Sequence, residues 1–282
     1  MMNSSFQIEV GSERIIRGNL LLAEVNPSPI TLIICHGYKG YKDWGFFPYA
    51  AGSFAKHVNV IIFNFSHNGV GALGDSFDEL EKFARNTYAR ELEDLDVLIK
   101  SLRKEKDPLF SGLGNSRIYL LGHSRGGAVA LLYGLDQPEE ISGIVTWNGV
   151  TEPEGIFTKQ QVEQMRQEGR SYVENARTKQ QMPLDVEIIE DLDLNKERYN
   201  LIQRSKGLEI AVLAIQGDED FERLKRGRKD LLNNQPAIRQ LTVAGGNHTF
   251  GTVHPFRGTT EALETAIAET VAFMVQPNTD KV

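Results

Sequence analysis

Serine, histidine and aspartate become nucleophile, base and orienting acid only when turns present all three at one point. Three short stretches of this sequence have that form. Gly122-His123-Ser124-Arg125-Gly126 follows the strand-like Ile118-Tyr119-Leu120-Leu121 and precedes a helix-like run from Gly127 to Asp136. In a G-x-S-x-G between strand and helix, the serine occupies a strained turn, the glycines let neighbouring backbones approach, and the helix N-terminus faces the site. Ser124 is the expected nucleophile, the alternative being an inert serine in a tight turn. His248 lies in Gly245-Gly246-Asn247-His248-Thr249-Phe250, just after the strand-like Ile238 to Val243, so a glycine loop presents its imidazole at a strand end as the expected base. The other five histidines fit less well: His36 and His123 sit in turns beside motif positions, His57 ends a helical run, His67 lies in a loop and His254 precedes a proline. Asp218-Glu219-Asp220 follows the strand-like Ile210 to Ile215, one element ahead of the histidine, where the order Ser, acid, His places the acid. Asp220 is preferred to Asp218 because, three residues past Gly217, it clears the strand end.

Acyl transfer also needs two fixed N–H donors for the developing oxyanion. The backbone of Arg125, next after the nucleophile, supplies one. The second is assigned to the N–H of Tyr38, where His36-Gly37-Tyr38 leaves the strand-like Ile30 to Cys35. The aromatic stretch from Tyr41 to Pro48, with Trp44 in it, then falls at the mouth of the same site and either walls the substrate or packs as loop.

These parts need a rigid frame, and the sequence has the material for one. Apolar runs recur at residues 13 to 23, 30 to 35, 58 to 65, 117 to 121, 141 to 147, 210 to 215 and 238 to 243, most of them separated by helical patterns. Near-continuous apolar strands alternating with helices imply a doubly wound α/β fold, with a mostly parallel sheet covered on both faces. Residues near 6 to 10 and 13 to 23, joined at Gly11-Ser12, read as an edge hairpin. One long helix is expected over roughly 79 to 104, with Leu92, Leu95, Leu98 and Leu102 on its buried stripe and Glu91, Asp94 and Lys100 off it.

Residues 151 to 205 break the rhythm. Nineteen of these 55 are charged, about 35% against 24% for the whole chain, and no strand run stands out. The segment is read as a helical cap inserted after the sixth core strand, dividing a core of residues 1–150 and 206–282. Thr158 and Gln161 form a capping-box pattern, Phe157 precedes it as a staple, and Gly169 ends the helix. Val162 and Met165 share a face that either packs on the core or lines a substrate pocket. Trp44, Trp147, Phe157, Val162 and Met165 are the candidate pocket residues.

Composition closes other routes. Acids outnumber bases by 38 to 31 in 282 residues, and the net charge of −7 argues against a nucleic-acid partner. The lone cysteine, Cys35, allows no internal disulfide and sits among apolar residues as a core position. The start Met1-Met2-Asn3-Ser4-Ser5 lacks a signal-peptide pattern, and no uncharged apolar run nears the ~18 residues of a membrane span, so a cytoplasmic location is expected. Gly69 to Gly74 spells G-x-G-x-x-G, but no helix opens at its second glycine, and Glu93 and Asp94 fall inside the long helix where a dinucleotide fold ends a second strand. No G-x-x-x-x-G-K-[ST] or H-E-x-x-H occurs. The basic run Arg223, Lys225, Arg226, Arg228 and Lys229 reads as a solvated helix face or an anion patch.

From residue 13 onward the chain resembles the α/β-hydrolases, through His36-Gly37, the Gly122 to Gly126 elbow, Gly217-Asp218-Glu219-Asp220 and Asn247-His248-Thr249-Phe250. Within them it looks like the small esterase branch related to dienelactone hydrolases, including cinnamoyl-type esterases with a modest insertion after the sixth strand. It departs from the family at Asn64-Phe65-Ser66-His67-Asn68-Gly69, where an Asp-x-Arg-Gly-His-Gly loop is frequent, and at Phe221 after the acid. The resemblance implies a serine hydrolase acting on a small-molecule ester with no metal or organic cofactor. A peptidase or thioesterase, or a relative that only binds ligand, is the alternative.

Overall fold

Strands covered on both faces need apolar residues at successive positions, and the runs that meet this condition form the centre of the sheet. The computed structural model describes residues 3–11, 13–25 and 28–275; Met1, Met2 and Ser12, on which the start and turn readings partly rested, lie outside them. In chain order the elements are β1 (Asn3–Val10), β2 (Arg14–Leu21), β3 (Ile30–Cys35), α1 (Phe47–Phe54), β4 (Asn59–Asn64), α2 (Leu80–Ala84), α3 (Tyr88–Arg103), β5 (Arg117–His123), α4 (Arg125–Asp136) and β6 (Gly143–Trp147). There follow α5 (Lys159–Glu168), β7 (Arg170–Glu174), β8 (Gln181–Asp185), α6 (Glu187–Leu194), α7 (Leu201–Arg204), β9 (Ala211–Gly217), α8 (Glu222–Asn234), β10 (Arg239–Val243) and α9 (Glu261–Val275).

Among the described residues eight strands form one sheet in the order β1-β2-β4-β3-β5-β6-β9-β10, antiparallel at the β1–β2 and β2–β4 pairings and parallel from β4 onward. Side chains alternate between two cores: Ile33 and Cys35 face the layer of α3, α4 and α8, while Leu32 and Ile34 face that of α1 and α9. Strand order reverses around β3 and β5. Ligands of such sheets bind at that reversal, beyond the C-terminal strand ends. Among the described residues no helix is long and apolar enough to cross a membrane.

Two expectations are corrected. The stretch 79 to 104 is two helices: the chain breaks at Arg85-Asn86-Thr87, and the Thr87 side chain caps α3 by accepting from the Arg90 N–H at 3.2 Å. Glu91 and Asp94, expected off the buried stripe, are both buried because each has a cationic partner, Arg125 and Arg14 respectively.

The second correction concerns residues 151 to 205, which are not all helical: β7 and β8 pair as an antiparallel hairpin. The strands are five residues each and β8 carries Pro183 at its centre, so neither shows the apolar run that reveals a strand in sequence. The capping box at Thr158 and Gln161 is present, and Gly169 stops α5 with φ +81°. The segment has its own small core, in which Phe157, Met165, Met182, Leu184, Ile188 and Ile189 meet Tyr41, Phe77 and Phe83. Its many charges pair at the surface, Arg170 with Asp185 and Glu81, Arg166 with Asp193, and Glu187 with Arg90.

Candidate active site

Ser124 sits between β5 and α4 with φ +54° and ψ −119°, a conformation that L residues rarely adopt. Packing holds it there. A Cβ on Gly126 would fall 2.2 Å from the Cys35 carbonyl, and one on Gly37 would stand 3.0 Å from the Ser124 Cβ, so the elbow lies directly against the loop leaving β3. The Ser124 N–H donates to the Trp147 carbonyl at 2.9 Å, and its own carbonyl accepts from Gly127 and Val150. Arg125 opens α4, where an N–H has no acceptor one turn back. Tyr38 stands in the adjoining loop.

His248 Nε2 lies 3.0 Å from Ser124 Oγ, and His248 Nδ1 lies 2.9 Å from Asp220 Oδ1. With the carboxylate accepting at Nδ1–H, Nε2 is left as the acceptor for the serine hydroxyl. Asp220 is buried and also accepts from the Phe221 N–H at 2.7 Å and from Gln216 Nε2, whereas Asp218 is exposed. The geometry thus separates the two aspartates that the sequence left as alternatives. Acid loop and histidine loop touch closely: a Cβ on Gly217 would meet the Gly246 carbonyl at 2.0 Å.

Three groups around this trio were not singled out from sequence. Asn148, with φ +50°, donates through Nδ2 to the carbonyls of Asn247 and His248, and its Oδ1 accepts from the Gly217 N–H and Gln216 Nε2. One side chain therefore ties both loops to the end of β6. His123 Nε2 donates to the His248 carbonyl at 2.8 Å. Burial and the neighbouring His248 push the His123 imidazole down to about 3, so it is a neutral donor; burial likewise pushes His36 down to about 4. The third group is the side chain of Arg125, which the sequence reading used only for its backbone. Its guanidinium is buried, 2.8 Å from Glu91 and 3.8 Å from the Tyr88 ring centre, and it pins the start of α4 to α3. The single signal for it in the sequence was a charged residue between Ser124 and Gly126, inside an otherwise apolar neighbourhood.

The trio opens on a cleft of about 470 Å³. It is lined by Gly37 to Gly40 and Trp44, by Phe47, Phe77 and His123, by Asn175 to Arg177 of the β7–β8 turn, and by residues of the loop from His248 to His254. Trp44 stacks on His254, which accepts from the Gly45 N–H and contacts the Tyr41 hydroxyl. Of the candidate pocket residues Trp44 lines this cleft and four do not. Trp147 points to the opposite face of the sheet, fully buried among Phe46, Phe54 and Phe250 with its indole N–H on Thr270, because alternation at the end of β6 sends it there. Met165 is sealed inside the cap's own core. Phe157 and Val162 line a separate shallow depression, and Phe157 stands behind the cleft, edge-on to Tyr38 and in one apolar cluster with Phe77. The predicted acid and base stretches meet at the elbow, but the cap reaches the cleft through its hairpin turn and not through α5.

Comparisons with known proteins agree with this architecture. Est1E of Butyrivibrio proteoclasticus, in its structure with ferulic acid bound, aligns with a TM-score of 0.71 at 16% identity, covering 96% of this chain and 98% of that one. A dienelactone hydrolase of Anabaena variabilis aligns at 0.64 and 16%, covering 97% of each chain. In sequence, 153 residues are 29% identical to a proline iminopeptidase of Saccharolobus solfataricus, a match that takes in 54% of this chain and 44% of the curated relative's length. With a family model matching residues 30–185, more than half the sequence, laid over the elbow, the sheet and the cap hairpin, the chain belongs to the alpha/beta hydrolase fold family.

Proposed function

We propose that the protein hydrolyses a carboxylic ester through an acyl-enzyme on Ser124. The observation that carries this reading is the unbroken line Ser124 Oγ, His248, Asp220, with contacts of 3.0 and 2.9 Å, opening into the cleft. His248 accepts the serine proton as Oγ attacks the carbonyl, and Asp220 keeps Nδ1 protonated and stabilises the imidazolium that forms. The N–H groups of Tyr38 and Arg125 receive the oxyanion. His248 returns its proton to the leaving alkoxide, and the same steps with water release the acid. The reading of the cleft as the substrate site gains from its size, which falls in the ~300–1,000 Å³ range of small-molecule pockets.

The relative in S. solfataricus raises a peptidase as the second reading. An enzyme that takes peptides by a free N-terminus needs a carboxylate for the α-ammonium, and among the described residues no Asp or Glu lines the cleft. An ester substrate is therefore favoured.

Ser124→Ala tests the proposal, since alanine tolerates the elbow as serine does. Ester hydrolysis should fall by roughly three decades or more, and labelling by a fluorophosphonate should vanish. An alanine variant that kept a tenth of the activity would remove Ser124 from the mechanism. Faster turnover of an N-terminal prolyl amide than of its matched ester would favour the peptidase.

A further inference from the structure

Resting on that ester-hydrolase reading, we propose that the substrate carries an anionic group, recognised by Lys39 and Arg177 in the cleft that holds Ser124. Acids outnumber bases in the chain, 38 to 31, yet among the described residues the cleft is lined by these two cations and by no Asp or Glu. Neither cation has a carboxylate partner among the described residues. Lys39 Nζ donates to the backbone carbonyl of Glu174 at 3.3 Å and stands 5.8 Å from the Tyr38 ring centre. Its backbone is held at φ +55°, one residue beyond the N–H assigned to the oxyanion. Burial also lowers its pKa, so the ammonium is partly stripped of water with only neutral groups against it.

Arg177 occupies the β7–β8 turn. Asn175 closes that turn by accepting the N–H groups of Arg177 and Thr178 at its side-chain oxygen, so the cation is carried on an ordered loop. The adjacent Glu174 is engaged by Lys179 at 3.0 Å. Burial first, and the charge of Arg177 second, lower the His254 pKa, while burial raises that of Tyr41 against the opposing pull of Arg177, so the guanidinium charge is felt at both rings. Lys39 bonds to the Glu174 carbonyl at the end of β7 and Arg177 stands in the turn that follows, so both cations line the cleft beside the β7–β8 hairpin, and Trp44 stacked on His254 adds an aromatic wall to the same cleft. A negative group on a substrate whose apolar body rests on the wall would meet the two cleft cations that have no carboxylate of their own.

The test uses two pairs of esters that differ only in charge. Monomethyl adipate against methyl adipamate puts the anion on the acyl side, and 4-acetoxybenzoate against 4-acetoxybenzamide puts it on the alcohol side. In at least one pair kcat/KM should favour the anion by about five- to tenfold, and Arg177→Gln and Lys39→Gln should each lower that ratio severalfold. Raising the salt to about 0.5 M should lower it as well, without any substitution. Ratios near one in both pairs, or ratios that the two variants leave unchanged, would overturn the proposal. Ser124→Ala run alongside separates the two readings: turnover that survives it removes the ester-hydrolase reading, whereas turnover that needs Ser124 but ignores charge removes only the anion.

Discussion

At the elbow end of the cleft, His248 and Asp220 accept hydrogen bonds from the buried neutral side chains of Asn148, His123 and Gln216, and His248 in turn meets Ser124. At the cap end, β8 shares a small apolar core with Tyr41, Phe77 and Phe83 through Met182 and Leu184, and the charged contacts around the hairpin are ion pairs open to water, with Arg170 joining Asp185 of β8 to Glu81 of the body. Buried bonds of fixed geometry hold atoms to within a few tenths of an ångström and cannot be exchanged for water without loss. Exposed ion pairs are weak, screened and tolerant of substitution. The elbow is therefore built for position, and the cap for a surface whose shape and charge can vary while the elbow stays put.

The largest effect that could break this comparison is at the acid. Asp220→Asn should cost on the order of 10⁴ in kcat by favouring the wrong imidazole tautomer, while Asp218→Asn, at an exposed position, should change kcat less than about twofold. Equal losses at the two sites, measured at saturating substrate, would mean that the hydrogen bond from His248 to Asp220 does not set the tautomer.

Acid should separate the two regions in stability. The His36 and His123 imidazoles titrate at about 4 and about 3 in the folded chain, against ~6.5 once unfolded. Between those values the unfolded chain binds the additional protons, so their contribution is complete above pH ~6.5 and is lost as the pH falls toward the folded values. Together they should withdraw about 3–4 kcal/mol between pH 7 and pH 5, followed by the urea midpoint, and His123→Gln should remove about half of that change. A midpoint that is level over this range would show that these rings are not held neutral.

The smallest effect belongs to the cap. Arg170→Gln should lower Tm by no more than about 3 °C, and most of that difference should disappear in about 0.5 M salt. A drop of 10 °C or more that persists in salt would place Arg170 in a buried network and erase the contrast with the elbow.

How legible each region was in sequence follows from the same difference. Ser124, His248 and Asp220 were singled out because an elbow, a glycine loop and an acid after a strand impose local rules on residue type and spacing, and the three side chains do stand within hydrogen-bond reach of one another. The cap obeyed its local rules too, at Thr158, Gln161 and Gly169, yet its β7–β8 hairpin escaped notice. Two five-residue strands, one with a central proline, leave no periodic trace, and what stabilises them is contact with Tyr41, Phe77 and Phe83 far away in the chain.

By itself the sequence determined the doubly wound α/β sheet, since its central strands are apolar at nearly every position and each is followed by a turn or helix signal within a few residues. It also determined where a strained serine turn would interrupt that pattern. Only the tertiary structure decided the rest. It placed Trp147 behind the sheet and Met165 inside the cap, because the side a residue faces depends on register against a neighbour and not on its own type. It buried Glu91 and Asp94 by supplying Arg125 and Arg14 from distant segments. It also brought Lys39 and Arg177, 138 positions apart, into the lining of one cleft, a meeting that no local spacing encodes.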